Sequence, residues 1–365
     1  MNPNPQVVNS PAPTLSEQEV LPEQPQATRS EEPSTGLVYD GNLELPVIGA
    51  TGYASVRMEL KNSADVNSIT VAIIEPRSAF QILKEEGAWW LVQHQDVTGW
   101  LPHVYCFINL PDVIPSMIYD NTNTYASQFK SSGKAIPGIT DQKLYSGKSY
   151  NNRLAKEEFI DPVLYQMSKK IYSAQRMALS DGNSLKIYEV FRPYTVQKDV
   201  ASALKALAES DPEVMEGINT PPWGITWFIV DGVSNHQMGY GMDVSLVEIQ
   251  SEEQVRIGDY LSLQVTDYIE YVMPTYIHEL SGSSAIFTAA VTSKTPDAWR
   301  GSTYADTMTD PAKQLQKYCT SAGLTPLASE WWHFNDLEAR DSIADQSGDG
   351  EFIITDIYST APFAE

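Results

Sequence analysis

From about residue 44 to 108 the chain alternates apolar and polar positions in short runs: Ser55–Leu60, Ser68–Ile74, Ala79–Leu83, Trp89–Val92 and Thr98–Leu101. A period of two turns one face of each run toward a core and the other toward water, which predicts strands. Turn clusters such as Glu85-Glu86-Gly87 divide the runs. Strands at that regular spacing suit a small all-β barrel over 37–108.

Beyond residue 108 the period changes. Asp161–Met177 carries apolar residues at helical spacing, with Asp161 as a plausible N-cap and Pro162 at the first helical position. Ser184–Phe191 alternates like a strand and ends at Arg192-Pro193, Val196–Glu209 reads as a helix, Met242–Val247 and Gln264–Met273 as strands, and Pro311–Cys319 as a helix. No internal repeat and no regular βαβ alternation occur, so 109–365 is expected to be an α+β domain. Residues 1–36 are rich in Pro, Glu, Gln and Ser and lack apolar periodicity, which predicts a disordered, solvated linker.

Composition narrows the partners. Apolar residues make up 42% and aromatics 10% of the 365 residues, enough for a sizeable core. Against 24 Lys and Arg stand 47 Asp and Glu, and the net charge of −23 would repel nucleic acid and anionic lipid, so no nucleic-acid partner is expected. Cys106 and Cys319 lie far apart without C-x-x-C spacing and read as buried free thiols. No apolar run is long enough for a membrane span. The opening MNPNPQVVNSPAP has no basic-then-apolar signal pattern and resembles the tether left when a secretion signal or anchor is removed.

Two segments carry candidate chemistry. In Ser234-Asn-His-Gln-Met-Gly-Tyr-Gly-Met-Asp243, glycines at 239 and 241 let the backbone fold back, so that His236 and Asp243 can face one point. In Ser329-Glu-Trp-Trp-His-Phe334, Glu330 and His333 are three apart: a helical turn would put them on one face, and an ideal strand would oppose them unless bulged. Catalytic zinc sites use three protein ligands and an open position, and two histidines with one carboxylate are a recurring set. His236, Asp243 and His333 are such a set. Each histidine alone would read better as a structural residue.

This order of motifs, with Val190-Phe-Arg-Pro-Tyr194 upstream, Gly241-Met-Asp-Val-Ser-Leu-Val247 and Met273-Pro-Thr275, resembles the zinc D-alanyl-D-alanine dipeptidases of the vancomycin-resistance type and related metallo-carboxypeptidases. The resemblance covers most of 109–360. It implies a zinc D,D-peptidase-like fold, a central antiparallel sheet with helices. It further implies Zn2+ on His236, Asp243 and His333, Glu330 acting on the water, Arg192 polarising the scissile carbonyl, and Ser234 at the substrate. Zinc lowers the pKa of its water to about 7, a nearby carboxylate can move the proton to the leaving amine, and a guanidinium can share the developing oxyanion charge. The alternative for Arg192 is a salt bridge, and for Trp331 and Trp332 the walls of the pocket.

Two departures from the family matter. His278 takes the slot of an aspartate near the substrate's free amine, with adjacent Glu279 as its possible substitute, and 281–310 is longer than a compact dipeptidase needs, as if to cover or widen the pocket. The segment Glu85–Tyr105 resembles bacterial SH3-type domains, which implies cell-wall targeting; packing in the core is the other reading of Trp89, Trp90 and Trp100. His94 and His103 receive no function. The expectation is a secreted or wall-associated bacterial enzyme hydrolysing free D-Ala-D-Ala or a peptidoglycan stem peptide. The alternatives are a D,D-carboxypeptidase that trims the terminal D-alanine and a non-catalytic wall-binding protein.

Overall fold

A computed structural model describes residues 36–364. Apart from Gly36, the linker expected over 1–36 lies outside them. The described chain is mixed α and β, built mainly on antiparallel sheets with few helices. No helix among the described residues is long and apolar enough to cross a membrane.

The alternating runs after residue 44 do form strands. An eight-stranded sheet has the order Pro162–Leu164, Cys106–Asn109, Thr51–Ala54, Ala79–Glu86, Trp89–His94, Val97–Pro102, Met58–Lys61, Thr70–Ile74. The hydrogen-bonded path is open among the described residues, and its first strand comes from beyond residue 109. Period two decides the tryptophans: Trp90 is fully buried beside Val92, whereas Trp89 and Trp100 are half-buried. Trp90 packs against Tyr165 with ring centroids 4.6 Å apart, joining this sheet to the helix Tyr165–Ser180.

The second sheet has the order Thr325–Leu327, Glu330–Asn335, Gly241–Ile257, Asn183–Glu189, Ile118–Tyr119, and Tyr260–Glu270 also pairs with Gly241–Ile257. The first seven residues of Gly241–Ile257 are buried and most of the rest is exposed, so the long hairpin is rooted in the core and projects from it. Tyr165–Ser180 buries Met167, Ile171, Ala174 and Ala178, one stripe at helical spacing. Within it Gln175 donates to Ser184 Oγ and accepts from Leu185 N, fixing the helix to the strand Asn183–Glu189. Cys106 and Cys319 are free and buried, and burial pushes both thiols up.

Asp161 is not an N-cap. Pro162–Leu164 pairs with Cys106–Asn109 as a strand, and the helix begins only at Tyr165. The cause is tertiary: Asp161 N donates to Asn109 Oδ1, and Asp161 O accepts from Leu110 N, so the backbone at 161 is held by the neighbouring chain. Proline suits the first residue of an edge strand as well as the first turn of a helix. Burial raises the Asp161 carboxyl from 3.8 to about 8 against the hydrogen bond from Asn121, with Glu158, Glu189 and Asp120 adding to the rise. An acid raised on folding contributes stability that is complete below its unfolded value and is lost as pH climbs through its folded value. Asp161→Asn should therefore gain on the wild type by on the order of 4 kcal/mol between pH 5 and pH 9 in denaturant unfolding. Parallel pH profiles for the two proteins would count against an ionisable Asp161.

Candidate metal centre

Three adjacent strands set the site in register. Asp243 pairs with Glu189 on one side and His333 on the other, and side chains at paired positions share a sheet face. The sequence Glu330-Trp-Trp-His333 is a strand, and it is bulged. Between Pro326↔Phe334 and Leu327↔Glu330 the partner strand advances one residue while this one advances four. The irregularity breaks strict alternation, so Glu330, Trp332 and His333 all line one cavity of about 880 Å3.

His236 comes from the turn before Gly241–Ile257. Gly239 adopts φ +74° there, and a Cβ on it would lie 2.3 Å from the Phe107 ring. Gly241 is needed for closeness instead: its Cβ would crowd Asn235 at 3.1 Å and His333 Cε1 at 3.3 Å. Gln237 fastens the turn, accepting from Ser234 N at 2.6 Å and donating to the Arg192 carbonyl at 2.6 Å.

Three ligand atoms converge. His333 Nδ1 is 2.8 Å from Asp243 Oδ1, His236 Nε2 is 3.4 Å from the same oxygen, and the two imidazole nitrogens are 3.2 Å apart. Ligand atoms around a tetrahedral ion with bonds of about 2.0–2.1 Å lie about 3.4 Å from one another. The outer partners fix the tautomers. His236 Nδ1 lies 3.0 Å from the Val190 carbonyl, and His333 Nε2 lies 2.9 Å from Asn335 Oδ1, which also accepts from Asn235 Nδ2. Both outer nitrogens must donate, so in neutral rings the inner nitrogens present lone pairs. Burial holds His236 below the ordinary imidazole value, outweighing the pull of Asp243. Burial alone would raise Asp243; inner imidazole nitrogens that carried protons would outweigh it and hold the carboxyl well below its usual range, and a cation among the same atoms does the same work when those nitrogens present lone pairs. Two lone pairs and a carboxylate oxygen thus face one another, an arrangement that a cation relieves. These residues could hold a metal ion.

A second grouping, Glu189, Asp243 and His278, is also close enough to ligate. A guanidinium already serves it. Arg192 Nε donates to Glu189 at 2.6 Å, Nη2 to Asp243 Oδ2 at 3.2 Å, and Nη1 to Gln197 at 2.8 Å. Burial works against the Arg192 charge, but Glu189 and Asp243 outweigh it and raise its pKa. Arg192 is therefore a buried ion-pair partner rather than a surface one, and it lines the cavity. Its second Nη1 N–H has no acceptor among the described residues.

Glu330 is 5% exposed, with Oε2 4.0 Å from His333 Nδ1. Burial first, and the Asp243 charge second, push its carboxyl well above the usual range. Charge balance explains the arrangement: with Asp243, Glu189 and Glu330 ionised against Arg192 alone, the centre lacks two positive charges. A divalent cation would supply them and let Glu330 ionise.

The other expected residues divide. Ser234 lines the cavity, and its buried Oγ has no partner. His278 lines it too, but Nε2 is bound to Asp243 Oδ2 at 3.1 Å and the ring stacks on Phe129 at 4.5 Å; its φ of 59° is one that residues other than glycine rarely adopt. Glu279 does not reach the cavity and lines a neighbouring one. Trp332 is a wall of the site, whereas Trp331 points elsewhere and donates to Thr275 Oγ1. Ala290, Thr292, Ser293 and Lys294 bring the 281–310 segment to the cavity.

Sequence reading passed over Glu189, Gln197, Gln237 and Asn335, the partners that hold the arginine and the imidazoles. Only Glu189 carried a signal, an acid three residues before Arg192. No protein-family model matches the chain, and no curated protein matches it.

Proposed function

We propose that the chain is a zinc peptidase acting on D-alanine-terminated peptides of the cell wall. One observation carries the reading: the inner atoms of His236, Asp243 and His333 converge beside Glu330 at the wall of a cavity large enough for a peptide end. Zinc suits two imidazoles and a carboxylate, and when bound it supplies the charge that acidifies water and polarises a carbonyl. Glu330 takes the proton from water and delivers it to the leaving amine. Arg192, through its remaining Nη1 N–H, offers a donor to the carbonyl oxygen as charge develops there. Ser234 lines the cavity, and its partnerless Oγ can turn to the substrate. The all-β segment 37–108 is proposed to be an SH3-like module that directs the enzyme to the wall outside the cell.

A specific observation favours carboxypeptidase action on longer stem peptides over cleavage of the free dipeptide. Holding a free ammonium needs a carboxylate. Among the described residues Asp243 and Glu330 are the only acids lining the cavity, and both have other work; His278 is bound to Asp243, and Glu279 faces away. The test is to incubate the zinc-loaded protein with D-Ala-D-Ala and with a stem pentapeptide and to identify products by mass. D-Alanine should be released from the pentapeptide with the higher kcat/KM. The opposite ranking would restore the dipeptidase reading, and no D-alanine from either would leave a wall-binding protein.

A further inference from the structure

On the other side of the segment that carries His278 lies a second cavity, of about 670 Å3. His278 and Leu280 line the first cavity, and Glu279 between them lines this one; the chain turns at His278, whose φ is 59°. The Glu279 side chain is set deep, the residue being 6% exposed. Its Oε2 accepts from Gly133 N at 3.1 Å and its Oε1 from Ser281 Oγ at 2.7 Å. A carboxylate has about four acceptor positions, so roughly half remain open.

Both partners are neutral. Among the described residues no Lys, Arg or His makes an ion pair with Glu279. Lys130, whose backbone bridges to Glu279, directs its ammonium to the Tyr276 ring instead, 5.8 Å from the centroid. A buried carboxylate without a positive partner is costly, and such groups are retained where something else brings the charge. The walls suggest what that is. Trp223 is held edge-on against Trp227 at 5.6 Å, and Tyr276 stands 81% exposed at the mouth. Gly282 keeps the space beside the indole open, since a Cβ there would lie 3.1 Å from Trp223 Cδ1. Aromatic faces favour a cation and cover a methylene stem equally well.

We propose that this cavity binds a primary alkylammonium group, with the charge on Glu279 and the hydrocarbon stem against Trp223 and Tyr276. For the peptide substrate proposed above, the group is the side-chain amine of a diamino acid; that identification, unlike the binding itself, rests on the peptidase reading.

Calorimetric titration of the full, chelator-treated protein tests the binding without any hydrolysis, so the result does not depend on the metal site. The probes are Nα-acetyl-lysine methylamide and its uncharged counterpart, Nα-acetyl-norleucine methylamide. Saturable binding of the lysine compound is expected, weakened at least about tenfold for the norleucine compound and by a similar factor in Glu279→Gln. Trp223→Ala should weaken it as well. If circular dichroism shows that a variant misfolds, the comparison of the two probes on the wild type still decides. Equal affinity for the two probes, undiminished binding by folded Glu279→Gln, or no saturable binding to the wild type would each overturn the proposal.

Discussion

Glu330→Gln is expected to lower kcat for D-alanine release by about 10²–10⁴-fold while leaving the metal in place. Glutamine has the shape of glutamate but cannot take a proton from water. The three ligands are untouched by the change, because Glu330 lies 4.0 Å from His333 Nδ1 and makes no hydrogen bond to His236, Asp243 or His333. Folding should not suffer either: burial and the Asp243 charge already disfavour the ionised carboxylate, so an uncharged amide matches the neutral form that the metal-free site favours. Initial rates and metal content measured on one sample check both halves. A kcat close to wild type would make Glu330 a structural residue, and loss of the metal would make it a ligand.

The strands of the first sheet were legible because one face of each is buried, which writes period two into the sequence, as in Trp89–His94. Local signals misled where tertiary pairing took over the same residues. Asp161-Pro162 and Asp211-Pro212 have the same form, yet only Asp211 caps a helix, accepting from Glu213 N and Val214 N at the start of Pro212–Asn219. That helix was overlooked although its cap was in plain sight. His236 and Asp243, two of the candidate metal ligands, could be picked out because glycines at 239 and 241 fold the turn between them. How Glu330 and His333 come to share a face could not be read, since it depends on a bulge defined by the pairing strand Thr325–Leu327. The divergence of His278 and Glu279 was hidden in the same way: two adjacent residues, at a turn where His278 takes φ 59°, serve two cavities.

His333→Ala is expected to abolish metal binding. It removes one of three ligand atoms and breaks the link from Asn335 that orients the ring. It also leaves Asp243 without its shortest imidazole contact, 2.8 Å. Three-ligand sites depend on every donor, whereas loss of an outer partner alone costs only about 10–100-fold in affinity. The fold should survive, because the backbone pairing of His333 with Asp243 does not use the side chain.

The most direct measurement is the zinc content, by elemental mass spectrometry, of the wild type and of His333→Ala after equilibration with zinc and removal of free ion. About one zinc per wild-type chain and almost none in the variant is the expected result. A wild type that retains no zinc, or a variant that retains as much as the wild type, contradicts a metal centre built from His236, Asp243 and His333.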